Sequence, residues 1–315
     1  MERYDESPEI ALKSGDVIFS KDGSLGNPAL IRELPDKATI NGTMMLVRLH
    51  DKVTPNFFYQ VLNSDSFLRL LHVLKSGSSI PHIFQRDMEN FKFKIPQSLK
   101  EQNQISSFLE VVDEKIGLLK KKYESYVNFK KYLMQQIFAQ KLRFDFVEVK
   151  LKDISKINKG EQLNKDVMIE DGKYYVLNGG KDPSGYTNEW NVSENTITIS
   201  EGGNSCGYVN FNTEKFWSGG HCYYLSNLDE NVDDYYLYNY LKFKEKFIMH
   251  LRVGSGLPNI QKRDIENIKI QIISKNNQNK ISNLFLFVDK KINSIQIQKE
   301  NFENFKKGLL QQMFV

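Results

Sequence analysis

The side chains able to do chemistry are scattered through polar loops, with no spacing that builds a reaction centre. Asp182-Pro183-Ser184-Gly185-Tyr186 superficially resembles the Asp/Asn-Pro-Pro-aromatic signature of methyl transfer to an amine. It lacks the companion Gly-rich loop that would hold a cofactor. No GxxxxGK[ST] run is present to cradle nucleotide phosphates, and no HExxH, GxSxG or carboxylate–lysine nuclease pattern stands out. The 5 histidines do not cluster, and Cys206 and Cys222 form no CxxC, which argues against structural zinc and a disulfide framework. These residues describe a chain that binds rather than catalyses, with no cofactor and no metal of its own.

Composition sets wider bounds. The chain has 315 residues, 40% of them hydrophobic, enough for two cored domains plus extended elements. No apolar run is long enough to span a membrane, and the start, Met1 to Pro8, lacks the pattern of a secretory signal. A cytoplasmic location is the expectation. The net charge of +4 is compatible with a polyanionic partner. Richness in Lys, Asn, Ile, Phe and Tyr also fits AT-rich coding, so charge alone decides little.

The chain repeats itself. Pro81-His82-Ile83-Phe84-Gln85-Arg86-Asp87-Met88-Glu89-Asn90 matches Pro258-Asn259-Ile260-Gln261-Lys262-Arg263-Asp264-Ile265-Glu266-Asn267. Glu101-Gln102 then corresponds to Gln278-Asn279, Val112-Asp113 to Val288-Asp289, and Asn128-Phe129-Lys130-Lys131 to Asn304-Phe305-Lys306-Lys307. Upstream, Asp16 to Ser20 is similar to Thr196 to Ser200, each followed by a Gly-rich turn. The unit is a globular head and then a helix, present twice.

In the first helix Ile105, Leu109, Val112, Ile116, Leu119, Tyr123, Tyr126, Lys130, Leu133 and Ile137 step alternately by four and three. In the second the same seam reads Ile281, Phe285, Val288, Ile292, Ile295, Lys299, Phe302, Lys306, Leu309 and Met313. An antiparallel coiled coil about 60 Å long is expected, with a head at each end. Lys130 and Lys306 read as polar breaks that cost stability and fix register. Leucine at both positions is therefore expected to raise thermal stability.

The fold class is α+β, two heads separated by that two-helix coiled coil. The divisions are 1–98 for a shortened first head, 99–143 for the first helix, 144–275 for the second head and 276–315 for the second helix. The complete head carries strands at Val147 to Leu151, Tyr174 to Leu177, Thr196 to Ser200, Gly207 to Phe211, Cys222 to Leu225 and Ile268 to Ile272, with a helix from Asp233 to about Leu251. About 35 residues equivalent to 146–180 have no counterpart in the first head.

Taken in order and twice, these segments resemble the specificity subunit of type I restriction–modification systems. The resemblance rests on Tyr174 to Gly180 with Gly185-Tyr186, on Thr196 to Ser200 with Cys206-Gly207, and on Phe216-Trp217 with Tyr223-Tyr224-Leu225. It extends to the Arg-Asp-hydrophobic-Glu-Asn segments and the Leu-hydrophobic-Gln-Gln-hydrophobic-Phe endings. It implies two target-recognition domains, each reading half of a split double-stranded DNA target, with the helices setting the gap. It also implies two modification subunits that methylate adenine N6 with S-adenosylmethionine. Restriction subunits would use ATP and Mg2+. A half-type subunit that dimerises, or a coiled-coil adaptor that does not bind DNA, stays open as an alternative.

Base-edge and phosphate contacts would come from polar loop residues. On the second head the candidates are Lys181, Ser184, Tyr186, Asn188, Glu201, Asn204, Ser205, Ser218, His221, Arg252, Ser255 and Asn259. On the first they are Lys21, Asp22, Ser24, Lys75, Ser78, Ser79 and His82. The loop glycines read as turn formers, and Arg86 and Arg263 as local anchors. Trp217 and Tyr235-Tyr236 read as core, and Lys120-Lys121-Lys122 as a solvated helix face.

Overall fold

The computed structural model describes residues 7–76, 81–254, 256 and 258–314, which group into two compact units. The first unit joins residues 1–123 with 294–315, and the second is residues 124–293. In chain order the first head has β1 (Val17–Ser20), β2 (Gly26–Leu30), β3 (Met44–Val47), α1 (Pro55–Val61), α2 (Asp65–Ser76) and α3 (Gln85–Glu89). The long helix α4 (Leu99–Phe138) follows. The second head has β4 (Val147–Lys150), α5 (Leu151–Ile154), β5 (Lys156–Lys159), β6 (Tyr174–Leu177), β7 (Gly185–Thr187), β8 (Thr196–Ser200), β9 (Val209–Asn212), β10 (Trp217–Ser218) and β11 (Cys222–Ser226). Then come α6 (Asp234–Phe243), α7 (Glu245–His250), α8 (Lys262–Glu266), β12 (Lys269–Ile272) and the second long helix α9 (Lys275–Met313).

Both heads are built on one plan. In the first, β1 lies between β2 and β3, antiparallel to each. In the second, β8 lies between β9 and β11 in the same way, and β5 adds a fourth strand outside β11. Among the described residues, a three-stranded sheet in the order β10-β6-β7 and the β4–β12 pair occur only in the second head. The helix expected from Asp233 to Leu251 is two helices that meet at Lys244, whose φ −83° and ψ −1° lie at the edge of the helical region. Sequence alone hid that break.

One helix in each head, α1 or α6, starts on a side-chain cap: Thr54 Oγ1 accepts from the Phe57 amide, and Asp233 Oδ1 from the Tyr236 amide. A buried glutamine of the adjoining long helix then braces that start. Gln102 Oε1 accepts from the Thr54 amide at 2.9 Å, and its amide group donates to the Lys52 and Pro96 carbonyls. Gln278 Oε1 accepts from the Asp233 amide at 2.8 Å, and its Nε2 donates to the Asn231 and Ile273 carbonyls. Both glutamines are fully buried. The repeat register is thus Gln102 with Gln278, one residue away from the alignment of Glu101 with Gln278.

Within each unit the long helices run antiparallel. In the first unit Lys115 approaches Phe302, and Leu109 shares a core with Leu310. In the second, Phe138 stacks on Phe285 at 5.8 Å between ring centroids. Leu109, Val112, Leu119, Ile281, Phe285, Val288 and Ile295 are buried as the seam requires. Met313 departs from it: it is exposed, and Leu310 and Phe314 fill the core instead. Cys206 and Cys222 are free buried thiols, and burial pushes the Cys222 thiol up to about 11. No helix among the described residues is long and apolar enough to cross a membrane.

The two seam lysines are not bare polar breaks. Lys130 Nζ lies 2.7 Å from both carboxylate oxygens of Asp289, which also accepts from the Tyr235 hydroxyl. Lys306 Nζ lies 2.6 Å from Asp113 Oδ1, and Asp113 Oδ2 accepts from Gln60 Nε2. Each pair is less than a third exposed on both sides. Removing one partner strands a half-buried carboxylate, which costs more than the leucine contacts return. This overturns the expected gain from leucine. Lys130→Leu is expected to destabilise the chain by about 1–2 kcal/mol, after discounting for solvent screening. A melting temperature at or above that of the parent would contradict this assignment.

Candidate nucleic-acid interface

The loops that carry the candidate residues of the second head meet where the edge of its main sheet is cross-linked by backbone bridges. Gly202 and Val253 both form antiparallel bridges with Asn259, and the Ile260 amide donates to the Glu201 carbonyl. The Glu201 amide donates to the His221 carbonyl, drawing the loop before β11 to the same point. The turn Gly203–Ser205 lies between, with Asn204 exposed. Glu201, Asn204, His221 and Asn259 are therefore brought together, and Arg252 adjoins Asn259 through the Val253 bridge.

The β6–β7 hairpin approaches this junction from the other side. Ser200 Oγ donates to the Gly179 carbonyl, fixing the hairpin against β8. Lys181, Ser184, Tyr186 and Asn188 lie exposed along its loop and outer strand. Lys181 Nζ stands 5.6 Å from the Tyr208 ring centroid, and Lys242 Nζ 3.9 Å from it. Burial holds the Lys242 ammonium below its ordinary range, although Glu245 at 2.6 Å opposes that effect. Burial likewise pushes the Tyr208 hydroxyl up.

Two candidates turn inward. Ser218 is fully buried; its amide donates to Asn191 Oδ1 and its carbonyl accepts from Glu161 and Asn191. Glu201 is also buried, with Oε1 2.6 Å from Lys159 Nζ and 3.1 Å from the Tyr223 hydroxyl. His221 Nδ1 lies 3.4 Å from Glu201 Oε2, an ion-pair separation when the ring is protonated. A carboxylate engaged in this way braces the loops instead of accepting from a base. His221, a candidate contact residue, has a largely exposed side chain. Trp217 is only half-buried, its indole N–H donating to the Glu161 carbonyl, while neighbouring Phe216 fills the core. Ser255 lies outside the described residues.

The first head repeats the junction with different side chains. Asp22 bridges His82 as Gly202 bridges Asn259, and the Ile83 amide donates to the Lys21 carbonyl. His82 Nδ1 pairs with Asp22 Oδ1, and its ring packs 4.3 Å from that of Phe84, over which the Arg86 guanidinium sits. Lys21, Asp22 and His82 are brought together, with Ser24 exposed in the next turn and Lys75 at the end of α2. Ser78 and Ser79 lie outside the described residues. Sequence reading missed Lys159, Tyr208, Tyr223 and Lys242. The first sits on β5, whose single inward apolar residue, Ile157, gives almost no alternation to detect.

Chemically, the arrangement offers hydrogen-bond donors, acceptors and cations on loops held by a rigid sheet. Among the described residues no group of three His, Cys, Asp or Glu is placed to hold a metal ion. Such a surface recognises a ligand through its edges.

That combination, a polar loop junction built twice and each time followed by a long helix, defines a recognition protein with an internal repeat. The family model for the type I restriction modification DNA specificity domain matches residues 4–125 and 144–302. The chain belongs to this family. It is 37% identical over 124 residues to a protein named a type I specificity subunit in Mycoplasma pneumoniae, covering 39% of this chain and 33% of that one. The chain thus matches about a third of that relative's length. Over 343 aligned positions it is 24% identical to a type I restriction enzyme specificity subunit of Methanocaldococcus jannaschii, covering 98% of this chain and 79% of the relative. The fold is that of the S subunit of a type I restriction-modification system from M. genitalium, at a TM-score of 0.75 and 21% identity, covering 96% of this chain and 83% of that one.

Gly179 anchors the hairpin at φ +83°, where an added Cβ would stand 2.6 Å from the His221 carbonyl oxygen. Its neighbour Gly180 has no such restriction in φ, and its nearest contact would be 3.2 Å. Gly179→Ala is expected to lower stability by about 2–3 kcal/mol and Gly180→Ala by well under half of that, measured by urea unfolding. Equal losses would show that the junction does not depend on this close approach.

Proposed function

We propose that this chain is the DNA-reading subunit of a type I restriction–modification complex and that it recognises a bipartite duplex target, one half through each head. The observation that carries the reading is the duplicated junction, Asp22–His82 in one head and Gly202–Asn259 in the other, within a chain that matches the specificity-domain family across both copies. Phosphate contacts from Lys181, Arg252, Lys21 and Lys75 would supply affinity, and Asn204, Asn259 and the exposed ring of Tyr186 would supply base discrimination. The catalytic work, adenine-N6 methylation and ATP-driven cleavage, belongs to the partner subunits. The chain acts inside the cell, beside the DNA it reads.

The test is retention on duplex DNA across a salt series, with adenine methylation mapped in host DNA with and without the gene. Binding that neutralises about five phosphates falls by about 10^4 to 10^5 per tenfold rise in salt. Salt-independent retention, or a methylation map unchanged on deletion, would sink the reading.

The outer faces of the long helices support a pair of identical partners. In the first unit Phe108 and Val111 of α4 and Phe305 of α9 are 46, 63 and 49% exposed, and in the second their repeat counterparts Leu284 and Phe287 of α9 and Phe129 of α4 are 39, 57 and 46% exposed. An apolar patch presented twice suits two copies of one modification subunit. Val111→Glu is expected to drop the stoichiometry from two modification subunits to one, and Val111→Glu with Phe287→Glu to none, by light scattering of the mixed subunits. Full assembly of the double variant would remove these faces from the interface.

A further inference from the structure

Among the elements that only the second head shows, one covers an edge whose counterpart in the first head has no described partner strand. In the second head the outer edge of β11 is covered by β5, Tyr223 to Ser226 pairing with Lys159 to Lys156. The strand enters through α5, and α8 packs against both. Leu151, Ile154 and Ile157 of this segment are buried.

In the first head β3 holds the position of β11, and no described segment pairs with its outer edge. The Lys21 amide donates to the Thr43 carbonyl, and Phe19 faces Met45. By antiparallel alternation, Met45 and Val47 turn their backbone groups to β1 and Leu46 turns its N–H and C=O outward. Beyond that edge, as far as α3, lies a groove of about 910 Å³ lined by Met44 to Arg48, Ile83, Phe84, Gln85, Met88 and Glu89. Its place is that of β5 between β11 and α8. Burial records the difference: Met44 to Val47 are all half-exposed, whereas Cys222, Tyr223 and Leu225 are buried. Met88 is half-exposed where its counterpart Ile265 is fully buried.

Charge narrows the occupant. Lys159 of β5 pairs with Glu201, and the residue of the first head at the position of Glu201 is Lys21. Lys21 lines the groove together with His50, with Arg48, which pairs with Asp16, and with His82, which is bonded to Asp22; Glu89 is the one acid of the lining. No carboxylate is paired with the Lys21 ammonium among the described residues. We propose that this groove accepts an extended strand by edge addition from a separate polypeptide other than a second copy of this chain, with an aliphatic residue at the position of Ile157 and a carboxylate at that of Lys159. The backbone of Leu46 supplies the hydrogen bonds, the Met88 side chain the apolar contact, and Lys21 the charge selection.

The test uses the intact chain and synthetic peptides spanning Phe146–Gly160, read by hydrogen exchange of the 44–48 amides without DNA. This readout is independent of the DNA-reading proposal. The Lys159→Glu peptide is expected to slow the Leu46 amide at least about tenfold at about 1 mM, and the unaltered peptide less. Asn158→Pro within the Lys159→Glu peptide removes a strand amide and should abolish the effect. In the Lys21→Glu chain the preference between the two peptides should reverse. No slowing with either peptide, or equal slowing by the proline variant, overturns the proposal. Protection of the same amides in the chain alone, rising with its concentration, would assign the edge to a second copy and overturn it too. Protection only when the segment is fused to the chain through a flexible linker would overturn a separate source.

Discussion

A single side-chain amide fixes each head to its long helix. Gln102 and Gln278 place one acceptor and two donors against three backbone groups, away from water. A buried amide with all these bonds made is stable only in one orientation, because any shift of the helix leaves several polar groups unsatisfied. The start of α1 or α6 therefore cannot move independently of α4 or α9. The Lys–Asp pairs act a few turns further along, where Asp113 and Asp289 each join the facing helix to a residue of the head, Gln60 or Tyr235. The head, its helix and the antiparallel neighbour are thereby locked by polar geometry, and the apolar seam fills the space between.

With the frame so fixed, the loops are free to differ. The bridge between Asp22 and His82 and that between Gly202 and Asn259 occupy the same point of the fold. One sets a histidine–aspartate hydrogen bond there and the other an exposed amide beside a braced glutamate. Backbone bridging holds the loops whatever the side chains are, which separates stability from recognition. Gly26 and Gly207 show the same economy: both sit at positive φ, and an added Cβ would crowd Leu71 in one head and Met249 in the other. The helix behind the sheet packs against bare backbone in both copies.

Much of this was legible in the residues. The seam, both long helices, most second-head strands and the duplication follow from spacing, because a heptad and a strand alternation are local signals. The missed features are non-local or weakly patterned. Lys130 stood out as a polar break, but Asp289 lies 159 residues away and off the seam, so the break looked like a cost and not a pair. Ser218 has the polar character of a contact residue, yet Gly160 and Asn191 close over it. Glu201 resembled a base acceptor because nothing local announces Lys159 and Tyr223 as its partners. β7, three residues in a glycine-rich loop, carries too short a pattern to detect.

The two sulfur atoms of the second head have a consequence for how the molecule meets oxidants and labels. Cys206 and Cys222 are nearly inaccessible, and with the Cys222 thiol raised to about 11 the reactive anion is about one part in 10^4 at neutral pH. Neither sulfur is available for peroxide or for exchange with small thiols while the head stays folded. A cysteine introduced on either head would thus be the sole fast nucleophile, and a fluorophore could be attached there without first removing the native pair.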